Sequence, residues 1–159
     1  MRGGALPPAL LCAALGFALA FAPRRALGAS LAVLGLTAVA ASLLPLGQAW
    51  IEPVFLGCWV GVALAAAAVH WRGGVPTTAA LVLALNTGLW SGGVVAVAAE
   101  PVDLLKALPL ALLCLPGQWI AARWPIVLKV AASWLIAVAL LVAALPLTPT
   151  PGYAPDHMD

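Results

Sequence analysis

The sequence predicts an all-α integral membrane protein with six transmembrane helices arranged in antiparallel hairpins. Apolar residues make up 65% of the 159-residue chain, charged residues 8%, and the mean hydropathy is +1.13. Soluble domains carry about 25% charged residues. The few charged residues lie at the ends of apolar segments, where a helix would leave the hydrocarbon layer.

Six apolar segments match the length that a bilayer requires. A hydrocarbon core of about 30 Å is crossed by a helix of roughly 20 residues. The segments are residues 5–22, 26–46, 53–71, 75–99, 102–120 and 125–145. They fill most of residues 1–146, which predicts one polytopic membrane domain followed by a short tail, 147–159.

The first segment has some features of a secretory signal, because an apolar stretch after Arg2 ends in small residues. The basic pair Arg24 and Arg25 follows it, however, on the flank that is wrong for export. We therefore interpret the segment as the first membrane span.

The fifth segment is interrupted by Lys106, by Pro109 and by the Pro116-Gly117 pair. Proline lacks a backbone donor and clashes with the preceding helical turn. The sequence therefore predicts a kinked or partly re-entrant span.

The charged residues assign sides to the turns, because Lys and Arg are retained on the cytoplasmic side of short loops. One set of turns carries most of the basic residues, which are Arg24, Arg25, Arg72, Arg123 and Lys129. The opposite turns carry carboxylates and, apart from Arg2, only Lys106 as a basic residue. Both termini are therefore predicted outside the cytoplasm, in a bacterial-type inner membrane.

Small residues four apart allow helices in lipid to approach closely. Gly57 and Gly61 share one face of the third span, and Gly88 and Gly92 share one face of the fourth. Because the turn between these spans is short, the sequence predicts that they form a tight antiparallel pair.

The fourth span carries the polar residues Asn86, Thr87 and Ser91, of which Asn86 and Thr87 lie near mid-depth. They have two interpretations. Asn and Thr commonly form hydrogen bonds between membrane helices, worth about 1 kcal/mol. The same side chains would also suit a pathway for a cation or a hydroxylated solute.

Three carboxylates, Glu52, Glu100 and Asp103, are predicted to form an outer-face acidic cluster. A cluster there would attract cations or protons. Helix capping explains each carboxylate equally well, since negative charge is favoured at a helix N-terminus. Asp103 also lies three residues before Lys106, a spacing that allows a local ion pair.

A repeated spacing has two interpretations. Arg24 and Arg72 each precede a Glu-Pro-Val triplet by the same interval, which would follow from a duplicated two-helix unit. It would also follow from the preference of proline and carboxylates for helix starts.

The seven tryptophans divide into boundary and interior positions. Trp50 is predicted at the outer membrane boundary and Trp71, Trp119 and Trp124 at the inner one. The remaining three, Trp59, Trp90 and Trp134, are predicted to pack between helices.

No residues specific to an enzyme are recognised in the sequence, and neither a cofactor nor a metal is predicted. Cys12, Cys58 and Cys114 lie in different spans, without the spacing of a redox or zinc motif, and are interpreted as small apolar fillers. With a net charge of +2, the chain does not carry the strongly basic surface of a nucleic-acid-binding protein.

The leading functional hypothesis is a non-catalytic accessory subunit that packs in a larger assembly, with membrane lipid and other membrane proteins as its partners. The alternative is a small transporter or channel for an ion or a small or lipidic solute. The Pro-rich tail, residues 147–159, favours an extended path, and we predict that it lies along the outer face of a partner.

Overall fold

A computed structural model describes residues 6–145, and every long element among them is an α-helix. The helices are α1 (Leu6–Ala20), α2 (Arg24–Ser42), α3 (Ile51–Ala68), α4 (Thr77–Ala98), α5 (Pro101–Ala107), α6 (Cys114–Arg123) and α7 (Pro125–Ala144). Short 3-10 turns cover Gln48–Trp50 and Leu108–Leu113. The predicted tail, residues 147–159, lies outside the described residues.

Five apolar helices are long enough to cross a membrane. They are Arg24–Ser42, Gln48–Ala68, Thr77–Ala98, Val102–Arg123 and Pro125–Ala144, with lengths of 19 to 22 residues. The remaining one, α1, has 15 residues. The prediction of an all-helical fold is confirmed for the described residues, and their five long apolar helices are consistent with a multi-pass membrane protein.

The short helix α1 is the centre of the bundle. Leu11, Cys12, Leu15 and Leu19 are completely buried, and α1 contacts α3, α4 and all parts of the fifth span. A helix that is apolar on all sides is suited to such a position. The segment with signal-like features therefore supplies the core against which the other helices pack.

The closest helix pair is α2 with α4, which contact each other more extensively than any other two elements. A Cβ at Gly88 would lie 2.7 Å from the carbonyl oxygen of Leu34, and one at Gly92 would overlap the carbonyl oxygen of Ala38. Higher residue numbers on α4 thus face higher numbers on α2, so the two helices run parallel. This differs from the sequence prediction, which paired Gly88 and Gly92 with the third span.

The glycines of α3 do face α4, but they meet large side chains rather than other glycines. The ring of Trp90 occupies the space beside Gly57, and the amide of Asn86 lies against Gly61. Higher residue numbers on α3 thus face lower numbers on α4, so the two helices are antiparallel. The contact between α3 and α4 is less extensive than that between α2 and α4.

The fifth span is broken in its middle, where the predicted kink occurs. Pro109 cannot donate to the carbonyl of Leu105, and the chain tightens into the 3-10 turn. Gly16 of α1 accommodates this turn, because a Cβ there would be 3.1 Å from the carbonyl oxygens of both Leu110 and Ala111. The break is therefore packed against a position without a side chain.

The two halves of this span contact opposite ends of the bundle. Leu104 packs with Ala38 and Val95, near the ends of α2 and α4. At the other end, the Gln118 side-chain amide donates to the carbonyl oxygen of Ala22 at 3.3 Å. The segment therefore runs alongside α1 from one end of the bundle to the other.

The last helix, α7, packs mainly on α3. Ser133 Oγ and His70 Nε2 are 3.3 Å apart, while Trp59 and Ala143 line one apolar groove further along the same two helices. The helices are therefore antiparallel. Most of the remaining surface of α7 is exposed.

The two Glu-Pro-Val triplets adopt different local structures. Glu52 lies in the first turn of the unbroken helix α3, whereas Glu100 is the N-cap of the short helix α5. The repeated spacing is thus not accompanied by a repeated local fold.

The exposure of six of the seven tryptophans agrees with the predicted division into boundary and interior positions. Four near helix ends are more than half exposed, namely Trp50, Trp71, Trp119 and Trp124. Trp59 is buried, and Trp90 packs on Gly57. For Trp134 the prediction is wrong: its side chain is 62% exposed at the middle of α7, because α7 has helical neighbours on only one side.

Candidate functional site

The polar residues of the fourth span are buried between helices. Thr87 and Ser91 have no exposed surface and lie on one side of α4. Ser91 Oγ is 4.0 Å from Cys12 Sγ on α1, a weak hydrogen bond across the helix interface. These residues, together with Asn86, form what we call the polar cluster.

Asn86 is only half satisfied. Its Oδ1 accepts a hydrogen bond of 3.0 Å from the indole Nε1 of Trp90, one turn along the same helix. Its Nδ2 lies against Gly61 and has no partner. The hydrogen bond is within α4, so the Asn86 carbonyl orients Trp90 and does not link two helices, which was one of the two interpretations of the sequence.

Two buried hydroxyls also lack partners, Thr87 Oγ1 and Ser30 Oγ of α2. A buried hydroxyl without a partner costs about 1–3 kcal/mol, judged from mutations in proteins. Sequence reasoning missed Ser30, which lies close to the basic start of α2. Its only distinguishing signal is that it is the one polar residue in an apolar stretch of that helix.

The polar cluster is limited in the chemistry that it can perform. Hydroxyls and an amide donate and accept hydrogen bonds but hold no charge near neutral pH. No carboxylate or histidine of the described chain bonds to it. The arrangement therefore offers hydrogen-bonding groups but no group for acid-base catalysis.

The three carboxylates that the sequence assigns to the outer face are engaged locally. Glu100 and Asp103 form a capping box at the start of α5, in which the Glu100 backbone N–H donates to Asp103 Oδ2 at 3.4 Å. Asp103 Oδ1 also pairs with Lys106 Nζ at 3.4 Å. Glu52 lies in the first turn of α3. Between residues 6 and 145, no three acidic, histidine or cysteine side chains are arranged to hold a metal ion.

The cysteines Cys12, Cys58 and Cys114 are free and completely buried. They lie on α1, α3 and α6, within the apolar core. This placement agrees with their interpretation as small core residues.

Neither the protein-family models, nor the curated proteins, nor the solved structures contain a match to this chain.

Proposed function

We propose that this chain is a non-catalytic subunit of a larger assembly in a bacterial-type inner membrane, crossing it six times with both ends outside the cytoplasm. The arrangement of charges supports this orientation. The backbone N–H of Val75 donates to the Phe21 carbonyl at 3.1 Å, so the α1–α2 turn, with Arg24, lies against the α3–α4 turn, with Arg72. Arg123 ends α6 at this same end of the bundle, and Glu52, Glu100 and Asp103 lie at the other.

The orientation can be tested by labelling engineered cysteines after replacing the three buried cysteines with alanine. Gln48 and Thr78 are exposed on opposite ends of the bundle. In intact cells, a membrane-impermeant maleimide should label Gln48→Cys, and it should label Thr78→Cys only after permeabilisation. The reverse pattern, or labelling of both positions in intact cells, would contradict the proposed orientation.

The observation that carries the subunit proposal is the position of Trp134 on α7. Only 22% of an 18-residue stretch of α7 is buried, against 50% for α4. Trp134 is 62% exposed and lies about ten residues, or about 15 Å, from either end of the helix. Tryptophan on a lipid-facing surface is usually found at the headgroup level rather than at this depth.

The indole N–H of Trp134 strengthens this argument. Among residues 6–145, no acceptor lies within hydrogen-bonding distance of it. A polar N–H left in hydrocarbon carries a free-energy cost that a protein acceptor removes. We therefore propose that a transmembrane helix of another protein packs on this face of α7 and places an oxygen acceptor beside Trp134.

Site-specific photo-crosslinking tests this interface directly. A photoreactive residue in place of Ala137, which is exposed on the same face of α7, should give one discrete crosslinked product in native membranes. The same residue in place of Leu36, exposed on α2, serves as the matched control and should give none. We expect Trp134→Ala to reduce the crosslinked product about tenfold, and Trp134→Phe less, because the phenyl ring keeps the packing.

The competing function is a small transporter or channel, which the unpartnered groups of Ser30, Asn86 and Thr87 favour. Under that function, Ala137 would give no heterologous product and the purified protein would be a homogeneous oligomer. Thr87→Cys would then react with an aqueous maleimide from within the membrane. Crosslinking that is unaffected by Trp134→Ala would also overturn the proposed interface.

A further inference from the structure

A cavity of about 480 Å³ opens between the α1–α2 turn and the α3–α4 turn, at the arginine-bearing end of the bundle. Arg25, Gly73 and Thr77 contribute to its walls. The two turns are held together by the Val75–Phe21 backbone hydrogen bond. The cavity is therefore built by two different parts of the chain.

Gly74 is required for the close approach of the two turns. A Cβ there would lie 2.8 Å from the Phe21 carbonyl oxygen, and the residue has a φ of +87°, in the left-handed region. A side chain at this position would separate the turns that enclose the cavity.

Four of the backbone oxygens around the cavity are already in use. The carbonyls of Phe21, Ala22, Pro23 and Pro76 each accept a hydrogen bond of 2.8–3.3 Å from elsewhere in the protein. These four hydrogen-bond acceptors are thus satisfied within the protein.

Hydrogen-bond donors remain available. The parallel helices α2 and α4 both begin at the cavity, at Arg24 and Thr77, and neither has a side-chain cap or an acidic residue in its first turn. The first-turn N–H groups of a helix have no partner within the helix. The Thr77 hydroxyl has no partner among residues 6–145. The cavity therefore presents unpartnered hydrogen-bond donors.

The side chains add positive charge. Arg25 lines the cavity, and Arg24 and Arg72 are adjacent in sequence to residues that line it. In the described part of the chain, no carboxylate lies within 4.0 Å of any of these guanidinium groups. A cation at a helix N-terminus is electrostatically unfavourable, so Arg24 and Arg25 gain nothing from α2 itself. An anion between these arginines and the helix N-termini would be attracted by the guanidinium groups and by the helix ends.

We propose that this cavity binds the phosphate of an anionic phospholipid headgroup, with Arg25 and Thr77 as direct ligands and Arg24 and Arg72 providing flanking charge. The donors and the guanidinium group match the acceptor oxygens and the charge of a phosphate. A lipid is favoured over a free anion as the source because exposed Trp71 marks this end as headgroup level. The proposal does not depend on the partner at α7.

Native mass spectrometry of the full-length protein, released from vesicles of phosphatidylglycerol and phosphatidylcholine, tests the proposal. We expect one phosphatidylglycerol to be retained in preference to phosphatidylcholine. Arg25→Gln should lower that retention about tenfold and Thr77→Val about threefold, as expected for a charged and a neutral ligand. Arg123→Gln is the matched control and should retain the lipid, because the Arg123 guanidinium stacks 4.8 Å from the Trp119 ring, away from the cavity.

Thr77→Val keeps the shape of the side chain, so it tests the site even if Arg25→Gln fails to fold. Equal retention of the two lipids, or equal losses in Arg25→Gln and Arg123→Gln, would overturn the proposal. A second experiment uses millimolar inorganic phosphate alone as the probe. Displacement of the lipid by phosphate, or binding of phosphate without retained phosphatidylglycerol, would overturn the lipid as the source of the anion.

Discussion

Replacing Gly92 with leucine is expected to separate α2 from α4 and to destabilise the protein by about 3 kcal/mol, the upper part of the range for overpacked interiors. A Cβ at this position would overlap the carbonyl oxygen of Ala38 and lie 2.7 Å from the Cβ of Ala41. The Ala38 oxygen belongs to the backbone of α2, and the Ala41 Cβ belongs to a side chain without rotamers. Neither atom can move aside unless the helix moves. The loss of stability is measured as a lower melting temperature of the purified protein in mild detergent, with unfolding monitored by size-exclusion chromatography.

Gly35→Leu on α2 is the matched control for Gly92→Leu. A Cβ at Gly35 meets nothing within 4 Å, so the leucine would project into lipid or detergent. Its expected effect is small or stabilising, because leucine is the better helix former by somewhat less than about 1 kcal/mol. Equal melting temperatures for the Gly92→Leu and Gly35→Leu variants would show that α2 and α4 do not pack as described.

The α2–α4 pair also shows what a membrane sequence leaves open. Gly88 and Gly92 are recognisable as a surface for close helix packing because small residues four apart lie on one helical face. Such a surface fits any helix of suitable shape, and lipid provides no hydrophobic preference for one neighbour over another. The short turn after the third span favoured α3, but the ring of Trp90 fills the α3–α4 interface and leaves α2 as the closer neighbour.

Helix number and helix type were predictable for a different reason. They depend on local properties, namely the length of each apolar segment and the position of proline. Pro109 and Pro116 located the broken span because a missing backbone donor has the same effect in any tertiary context. The central position of α1 could not be predicted from local properties, because a helix that is apolar on all sides is equally suited to a position facing lipid.

The polar cluster was predictable in composition but not in its contacts. Asn86, Thr87 and Ser91 are conspicuous because polar residues are rare at mid-depth. Which of them finds a partner depends on other helices: Ser91 meets Cys12 of α1, while Thr87 meets no acceptor. Similarly, Trp90 and Trp134 are both mid-helix tryptophans, and only the packing of the bundle buries one and exposes the other.

Gly16→Leu is expected to displace the fifth span from α1 and to lower stability by about 2–3 kcal/mol. A Cβ at Gly16 would be 3.1 Å from the Leu110 and Ala111 carbonyl oxygens and 3.2 Å from the Cβ of Leu113. These contacts come from the 3-10 turn, whose course is restricted by Pro109. The turn cannot rotate its carbonyls away without breaking its own hydrogen bonds, so a larger residue has to push the whole span outward.

A graded series at Gly16 distinguishes packing from helix propensity. Gly16→Ala needs its neighbours to move by only a few tenths of an ångström, so we expect a loss of at most about 1 kcal/mol, partly offset by the better helix propensity of alanine. The same two substitutions at Gly28, where a Cβ meets nothing within 4 Å, should be neutral or stabilising. If melting temperature followed helix propensity at both positions, the contact between α1 and the 3-10 turn would not exist. A progressive loss from Gly to Ala to Leu at Gly16 alone would establish that the broken span depends on a glycine in the central helix.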